Sequence, residues 1–293
     1  MFEQLGLIGC GLMGGSFALA LKRARLVKRV VGYSKSPSTT ARARQLGVID
    51  AEASSALLAV SGADLVLLAV PVAATETTLK TIRHLITPQM LIMDVGSTKR
   101  DVVDAARRTL KIQVGQFVPC HPVTGREVSG VDYADADLYT NKQLVITPID
   151  RTQPAKIEKA DALWRAIGSN VIQMSPEQHD TAFAAISHLP HMIAFALMNS
   201  IAAQPEGNTF LSLAGPGFRD FSRIAAGDPQ MWRDVLMANR EEMGHQLQHF
   251  QDALAALTKE IAEGNTSELE RLINRASVAR ARWSTAAGKP AAG

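Results

Sequence analysis

A single glycine-rich turn near the start of the chain limits what it can fold into. Gly9-Cys10-Gly11-Leu12-Met13-Gly14 follows an apolar run and leads into a helical pattern. The GxGxxG spacing is weak alone, but in a strand–turn–helix setting it marks a dinucleotide-binding βα unit. Gly9 permits the tight turn and Gly11 lets a pyrophosphate approach the backbone. Gly14 lets the helix pack on the sheet, and the first helical N–H groups, Leu12 and Met13 among them, face the phosphate charge. The same stretch, Leu5 to Leu21, has the apolar length of a secretory signal or short span. An acid and no Lys or Arg precede it, and its five glycines suit a turn rather than a spanning helix. The expectation is a soluble, cytoplasmic chain.

Beyond this turn, short apolar runs alternate with helical patterns, the signature of a parallel sheet. Predicted strands are Gln4–Gly9, Arg29–Tyr33, Asp64–Val70, Met90–Val95, Gln116–Cys120, Gln143–Thr147 and Asn170–Met174. Helices are predicted at Gly14–Leu26, Ser38–Leu46, Ala74–Leu85, Lys99–Leu110 and Pro154–Ile167. After Met174 the character changes. Ser175-Pro176 is a helix start, and no credible strand follows. His179–Ala203 reads as one apolar helix, with further helices at Phe218–Ala226, Asp228–Leu257 and Ser267–Ala281, and a loop at Gly207–Gly217. The expected class is α/β: a Rossmann-type dinucleotide-binding domain at 1–174, then an all-α substrate and dimerisation domain at 175–285. A flexible tail, 286–293, ends the chain. At 293 residues two domains are expected. A formal charge of +3 gives no basic stripe for nucleic acid, and two cysteines make no disulfide framework.

The end of the second strand bears on the cofactor. An acid there usually holds the ribose 2′-hydroxyl of NAD, but this chain has Ser34-Lys35-Ser36. The missing carboxylate removes repulsion against a 2′-phosphate, and Lys35 with two hydroxyls could bind one. NADP is therefore expected, with NAD possible; a merely solvated turn is the bland alternative.

Three polar clusters complete the pattern. Asp94-Val95-Gly96-Ser97-Thr98-Lys99 and Cys120-His121-Pro122-Val123-Thr124-Gly125-Arg126-Glu127 each follow a predicted strand, at the sheet edge where α/β folds bind ligands. Ser187-His188-Leu189-Pro190-His191 lies in the apolar helix, its two histidines on one face beside a proline that breaks a backbone bond. Zinc held by His179, Asp180, His188 and His191 is another reading, but no known ligand spacing supports it and no metal is expected. Arg219 and Arg223, four apart among apolar residues, suit a carboxylate; an Asp220–arginine tie between helices fits equally. Cys10 and Cys120 are expected to be buried and inert, and His84, His245 and His249 to lie on helix surfaces.

Taken together, GLIGCGLMGGSFALALK, DVGSTK, CHPVTGREVSGV, SPEQHD, SHLPHMIAFAL and FRDFSRIAAGDPQMWRD resemble the prephenate dehydrogenase family, which includes arogenate and cyclohexadienyl dehydrogenases. The resemblance runs from Leu5 to about Phe250. It implies a homodimer and oxidative decarboxylation of prephenate, or also arogenate, with hydride passing to NAD(P) in tyrosine biosynthesis. His121 matches the histidine that accepts the C4 hydroxyl proton, and Ser97 the serine that bonds that hydroxyl and the imidazole. His191 matches a residue near the substrate side chain and Arg223 one that binds a substrate carboxylate. Glu127 and Asp220 match a polar network around the pocket, and Trp232 falls in DPQMWRD. Ser34 and Lys35 depart from the family's usual acid. No fused chorismate mutase is expected before the first strand and no ACT domain after the helices, so tyrosine would inhibit at the substrate site. The rivals are a β-hydroxyacid dehydrogenase, whose helical-domain lysine is missing between His179 and Gly207, and a non-catalytic dinucleotide sensor.

Overall fold

The structure, a computed structural model, describes residues 1–287. The predicted tail at 286–293 lies outside them, except that Ala286 and Ala287 close the last helix. Six parallel strands form the main sheet: β1 (Phe2–Ile8), β2 (Val27–Tyr33), β3 (Ala51–Glu52), β4 (Leu65–Leu68), β5 (Leu91–Asp94) and β6 (Phe117–Val118). Their order is β3-β2-β1-β4-β5-β6, so the direction of winding reverses between β1 and β4. That reversal opens a crevice at the carboxyl ends of the strands.

Successive side chains of a strand point to opposite faces, and both faces are covered here. Leu5, Leu7, Leu65, Leu67, Leu91 and Met93 pack with Phe17 and Trp164 on one side. Ile8, Val66, Leu68 and Ile92 pack with Leu79 and Val102 on the other. This explains why β4 is buried along its whole length. The apolar N-terminal run is β1 and the start of the helix Leu12–Arg23, as its glycines required.

A second, three-stranded sheet contains β7 (Cys120–Pro122), β8 (Gln143–Ile146) and β9 (Asn170–Gln173). β7 is antiparallel to β8, and β8 parallel to β9. The predicted strand Gln116–Cys120 is therefore two strands in different sheets. Pro119 divides them, because it has no N–H to give to a ladder. His121 consequently sits on a strand, paired with Val145, rather than in a loop.

The helical part also departs in detail from the sequence reading. His179–Ala203 is not one regular helix: Pro176–Phe183 passes through a π turn, Ala184–His188, into Leu189–Ala202. The widened turn accommodates Pro190, which lacks the N–H of a regular turn. Pro176–Ala202 is long and apolar enough, by length and composition, to cross a membrane. Gly207–Gly217 is not a loop but contains the helix Gly207–Ser212 and the start of Pro216–Ser222. Asp228–Leu257 divides at Asn239 into Pro229–Ala238 and Arg240–Glu263. The described chain forms two compact units, one through Glu242 and one from Met243. In the second, Ala253, Leu257, Leu272 and Ala276 line one groove between Arg240–Glu263 and Thr266–Ala287.

Candidate active site

Each glycine of the turn has a distinct job. Gly9 has φ +100°, and a Cβ there would stand 2.1 Å from the Ala69 carbonyl oxygen at the end of β4. A Cβ on Gly14 would meet the Gly9 carbonyl oxygen at 2.0 Å, so the helix packs too closely for any other residue. At Gly11 a Cβ would meet nothing within 4 Å. Its space is open. Gly11 is the N-cap and offers no side-chain bond, so the first N–H groups of Leu12 and Met13 remain available to an anion. These features fit a dinucleotide pyrophosphate. Ser34 closes the turn by accepting the Cys10 N–H at 2.9 Å, while Lys35 and Ser36 are exposed beside it. Burial pushes the Cys10 thiol up to about 11, which leaves it protonated and inert.

Along the same edge, β5 delivers Asp94 and Ser97. Asp94 and Lys99 form a fully enclosed ion pair at 2.5 Å. Lys99 Nζ also donates to the Cys120 carbonyl at 2.8 Å, and Cys120 N–H donates to Asp94 at 2.9 Å. The pair thus ties the end of β5 to the start of β7 and places the next residue, His121. Ser97 is half-buried, and its hydroxyl makes no hydrogen bond to His121 among the described residues.

His121 is buried and bonded to a second histidine: His121 Nδ1 lies 2.7 Å from His179 Nε2. His179 Nδ1 in turn lies 2.7 Å from Asp180 Oδ1. Asp180 accepts the N–H groups of Lys99 at 2.8 Å and Arg100 at 2.9 Å, at the start of the helix Arg100–Leu110. Burial, then the charges of His179, Lys99 and His188, holds the His121 imidazole well below its ordinary range. Burial also lowers His179 and takes His188 to about 4. These rings are neutral at physiological pH. Burial would raise the Asp180 carboxyl, but His179 and the two backbone N–H groups outweigh it and keep it ionised.

His188 is buried too, its Nδ1 3.2 Å from the Asn239 amide, which also donates to the Asp180 carbonyl at 2.8 Å. Asn239 is the C-cap of the helix Pro229–Ala238, so the end of that helix meets this junction. His191 Nδ1 donates to the Ser187 carbonyl at 2.8 Å, and the ring stacks on Trp232 with centroids 3.6 Å apart. Gly227 leaves room for that indole, since a Cβ there would stand 2.4 Å from Trp232 Nε1. Both Glu127 and Arg223 act electrostatically on His191, and they form an exposed ion pair with each other. Arg223 therefore pairs with Glu127, not Asp220; Asp220 and Arg219 are exposed on the helix Pro216–Ser222. A cavity of about 610 Å³ adjoins Trp232, lined also by Phe195, Met198 and Arg233.

Sequence reasoning weighed His179 and Asp180 only as zinc ligands. Here every nitrogen of His179 is spent on His121 and Asp180, and no three potential ligands converge among the described residues. Their signal was the capped helix start Ser175-Pro176-Glu177-Gln178, where Ser175 and Gln178 form a capping box immediately before them.

Comparison with known proteins identifies this arrangement. Residues 17–173 match the prephenate dehydrogenase nucleotide-binding domain, and residues 175–275 the prephenate dehydrogenase dimerization domain. Prephenate dehydrogenase of Bacillus subtilis is 38% identical over 245 residues, 83% of this chain and 66% of that protein. Cyclohexadienyl dehydrogenase of Zymomonas mobilis is 33% identical over 264 residues, covering 89% of each chain. The structure of Aquifex aeolicus prephenate dehydrogenase with hydroxyphenyl propionate and NAD+ superposes with a TM-score of 0.89. It is 33% identical and covers 96% of this chain and 98% of that one. With a nicotinamide dinucleotide turn, a buried neutral histidine at the sheet edge and both domains matched, the chain belongs to the prephenate dehydrogenase family of oxidoreductases.

Proposed function

We propose that this chain oxidatively decarboxylates prephenate to 4-hydroxyphenylpyruvate for tyrosine biosynthesis, accepts arogenate as a second substrate, and uses NADP at least as well as NAD. The observation that carries the reading is His121, buried on β7, held below the ordinary histidine range, and placed by the Asp94–Lys99 pair that ties β7 to the end of β5. When bound, the nicotinamide supplies the hydride acceptor. The residues that would hold the dinucleotide are Gly9, Gly11, Leu12, Met13 and Gly14 at the turn, with Ser34, Lys35 and Ser36 around the ribose. His121 accepts the C4 hydroxyl proton and Ser97 orients that hydroxyl. As the ring carboxylate leaves as carbon dioxide, aromatisation drives the step, so the protein mainly positions and deprotonates.

His191, held flat by Trp232, faces the substrate side chain, and Arg223 grips a carboxylate with Glu127 and Asp220 around it. Because Arg223 is 59% exposed in its ion pair, that pair contributes little to stability. Arg223→Ala is expected to raise KM for prephenate roughly ten- to hundredfold, the worth of a charge-assisted hydrogen bond. Its Tm should stay near the parent's. A lowered Tm with unchanged KM would assign the arginine to holding helices together.

The NADP preference is supported by the acid-free turn Ser34-Lys35-Ser36 and by Ser34 already bonding the glycine turn. A Lys35 contact to a 2′-phosphate contributes on the order of 1–2 kcal/mol, hence roughly tenfold. Initial rates with prephenate and arogenate, each with NADP and NAD, test substrate and cofactor together. Turnover of neither substrate would overturn the activity, and strong NAD selectivity would overturn the cofactor assignment. Further supports are a family of biosynthetic enzymes for a cytoplasmic location, and the dimerization-domain match for a homodimer that covers the apolar helix Leu189–Ala202. The domain division follows the change of character at 174, giving domains at 1–174 and 175–285 and a tail at 286–293.

A further inference from the structure

We propose that His179 and Asp180 are positioning residues for His121: they determine which of its nitrogens is bare, and they take up the charge it acquires. This rests on His121 accepting the substrate proton, as above. The argument runs inward from Asp180. Its two oxygens accept the Lys99 and Arg100 N–H groups at the start of an 11-residue helix, where an anion is favoured. An ionised carboxylate can only accept. The His179 nitrogen 2.7 Å from Asp180 Oδ1, Nδ1, must therefore carry hydrogen. A neutral ring has one such hydrogen, so His179 Nε2 is an acceptor. It lies 2.7 Å from His121 Nδ1, which must then carry the hydrogen of that neutral ring. His121 Nε2 is left with its lone pair and, among the described residues, takes no hydrogen-bond partner. That is the tautomer a proton acceptor needs.

The surroundings enforce this chain of bonds. Phe183 stacks on His179 at 4.4 Å and meets the His121 ring edge-on at 4.7 Å, so both rings are clamped by an apolar group. The charged and titratable groups facing the pair are Lys99, Asp94, His188, Asp180 and Arg100. Lys99 is committed to Asp94 and the Cys120 carbonyl, His188 to Asn239, and Arg100 to Glu242. None competes for the two histidines.

When His121 Nε2 gains the substrate proton, a positive ring forms beside the Lys99 ammonium. The Nδ1 proton then passes along its existing hydrogen bond to His179 Nε2. One N–H bond forms and one breaks, no electrons are exchanged, and the charge arrives on the ring bonded to Asp180; Lys99 acts on both rings, so that bond is what distinguishes them. The proton returns along the same path when His121 is deprotonated by solvent. In a site of low dielectric, placing the charge on a ring whose N–H is accepted by a carboxylate strengthens the base.

His179→Gln tests this without dismantling the site. Its amide oxygen accepts from His121 Nδ1 and its amide donates to Asp180, so the tautomer survives, but glutamine takes up no proton. Expected are a kcat roughly ten- to hundredfold lower, an acid limb of kcat/KM displaced to lower pH, and an unchanged Tm and cofactor KM. Asp180→Asn keeps an oxygen where the Lys99 N–H and His179 Nδ1 share an acceptor but removes the negative charge, so its acid limb should move to lower pH, as in His179→Gln, with a comparable fall in kcat. Should Asp180→Asn fail to fold, His179→Gln decides alone. An unmoved acid limb in His179→Gln, with or without a fall in Tm, overturns the proposal and leaves packing as the role of His179. If the unaltered protein turns over neither prephenate nor arogenate, the reading of the activity fails instead, so the two failures are distinguishable.

Discussion

His121→Asn is expected to lower kcat by roughly 10²–10⁴, the usual worth of general base catalysis, while cofactor affinity stays nearly intact. The cofactor residues lie at the ends of β1 and β2 in the main sheet, whereas His121 lies on β7 of the second sheet. Asparagine retains an amide that can meet His179 but has no group able to accept a proton near neutral pH. The unaltered protein should show its own signature. Burial, then His179, Lys99 and His188, holds His121 well below the ordinary histidine value of 6.5. The base is active when neutral, so activity should be flat above pH 6.5 and fall only in more acid solution, as His121 protonates. A His121→Asn enzyme with near-normal kcat, or a parent losing half its activity above pH 6.5, would sink the assignment.

The main sheet was legible because its strands are buried on both faces and therefore continuously apolar, as in Leu65-Val66-Leu67-Leu68. The glycine turn was legible because each glycine answers a local constraint: a positive φ at Gly9, close packing at Gly14, open space at Gly11. β3 escaped notice because two residues, Ala51 and Glu52, carry no periodicity. The separation of β6 from β7 was signalled by Pro119, yet an apolar run on both sides disguised it as one strand. The π turn before Pro190 was visible only as a disturbance, since sequence alone does not say whether a proline kinks a helix or widens it.

The site divides along the same line. Ser97, His121 and His191 stood out as candidates, the first two because their clusters follow predicted strands and the third because of its spacing from His188, while their roles come from the family resemblance. What sequence does not reveal is who meets whom. His121 and His179 are 58 positions apart, and Glu127 and Arg223 are 96 apart. Such pairings depend on how two sheets and a helix are brought together, so sequence reasoning, having set zinc aside, gave His179 and Asp180 no role. Pattern alone left Arg223 level between a carboxylate and a tie to Asp220, and in the fold its ion-pair partner is Glu127 rather than Asp220. Lys99 was passed over because a lysine at a helix start normally lies in solvent; here it is fully enclosed.

That enclosure has a large expected consequence for stability. Asp94→Ala leaves the Lys99 ammonium in a fully buried place with only the Cys120 carbonyl as partner. Removing one member of a buried ion pair costs about 3–5 kcal/mol, because the survivor keeps its desolvation penalty. The N–H groups of Gly96 and Cys120 also lose their acceptor. Lys99→Met should cost less than Asp94→Ala, since the remaining carboxylate keeps both of those N–H donors while the methionine fills the lysine's apolar path. The double variant Asp94→Asn with Lys99→Met should recover part of the loss by removing both charges. Thermal melts at one protein concentration, with denaturant titrations, measure these differences. A destabilisation of Asp94→Ala below ~1 kcal/mol, or a Lys99→Met variant weaker than it, would show that the charge pair does not hold β5 to β7. If the pair does hold them, kcat in a folded Lys99→Met protein should fall more than its cofactor KM rises, because the strand that slackens is the one that carries His121.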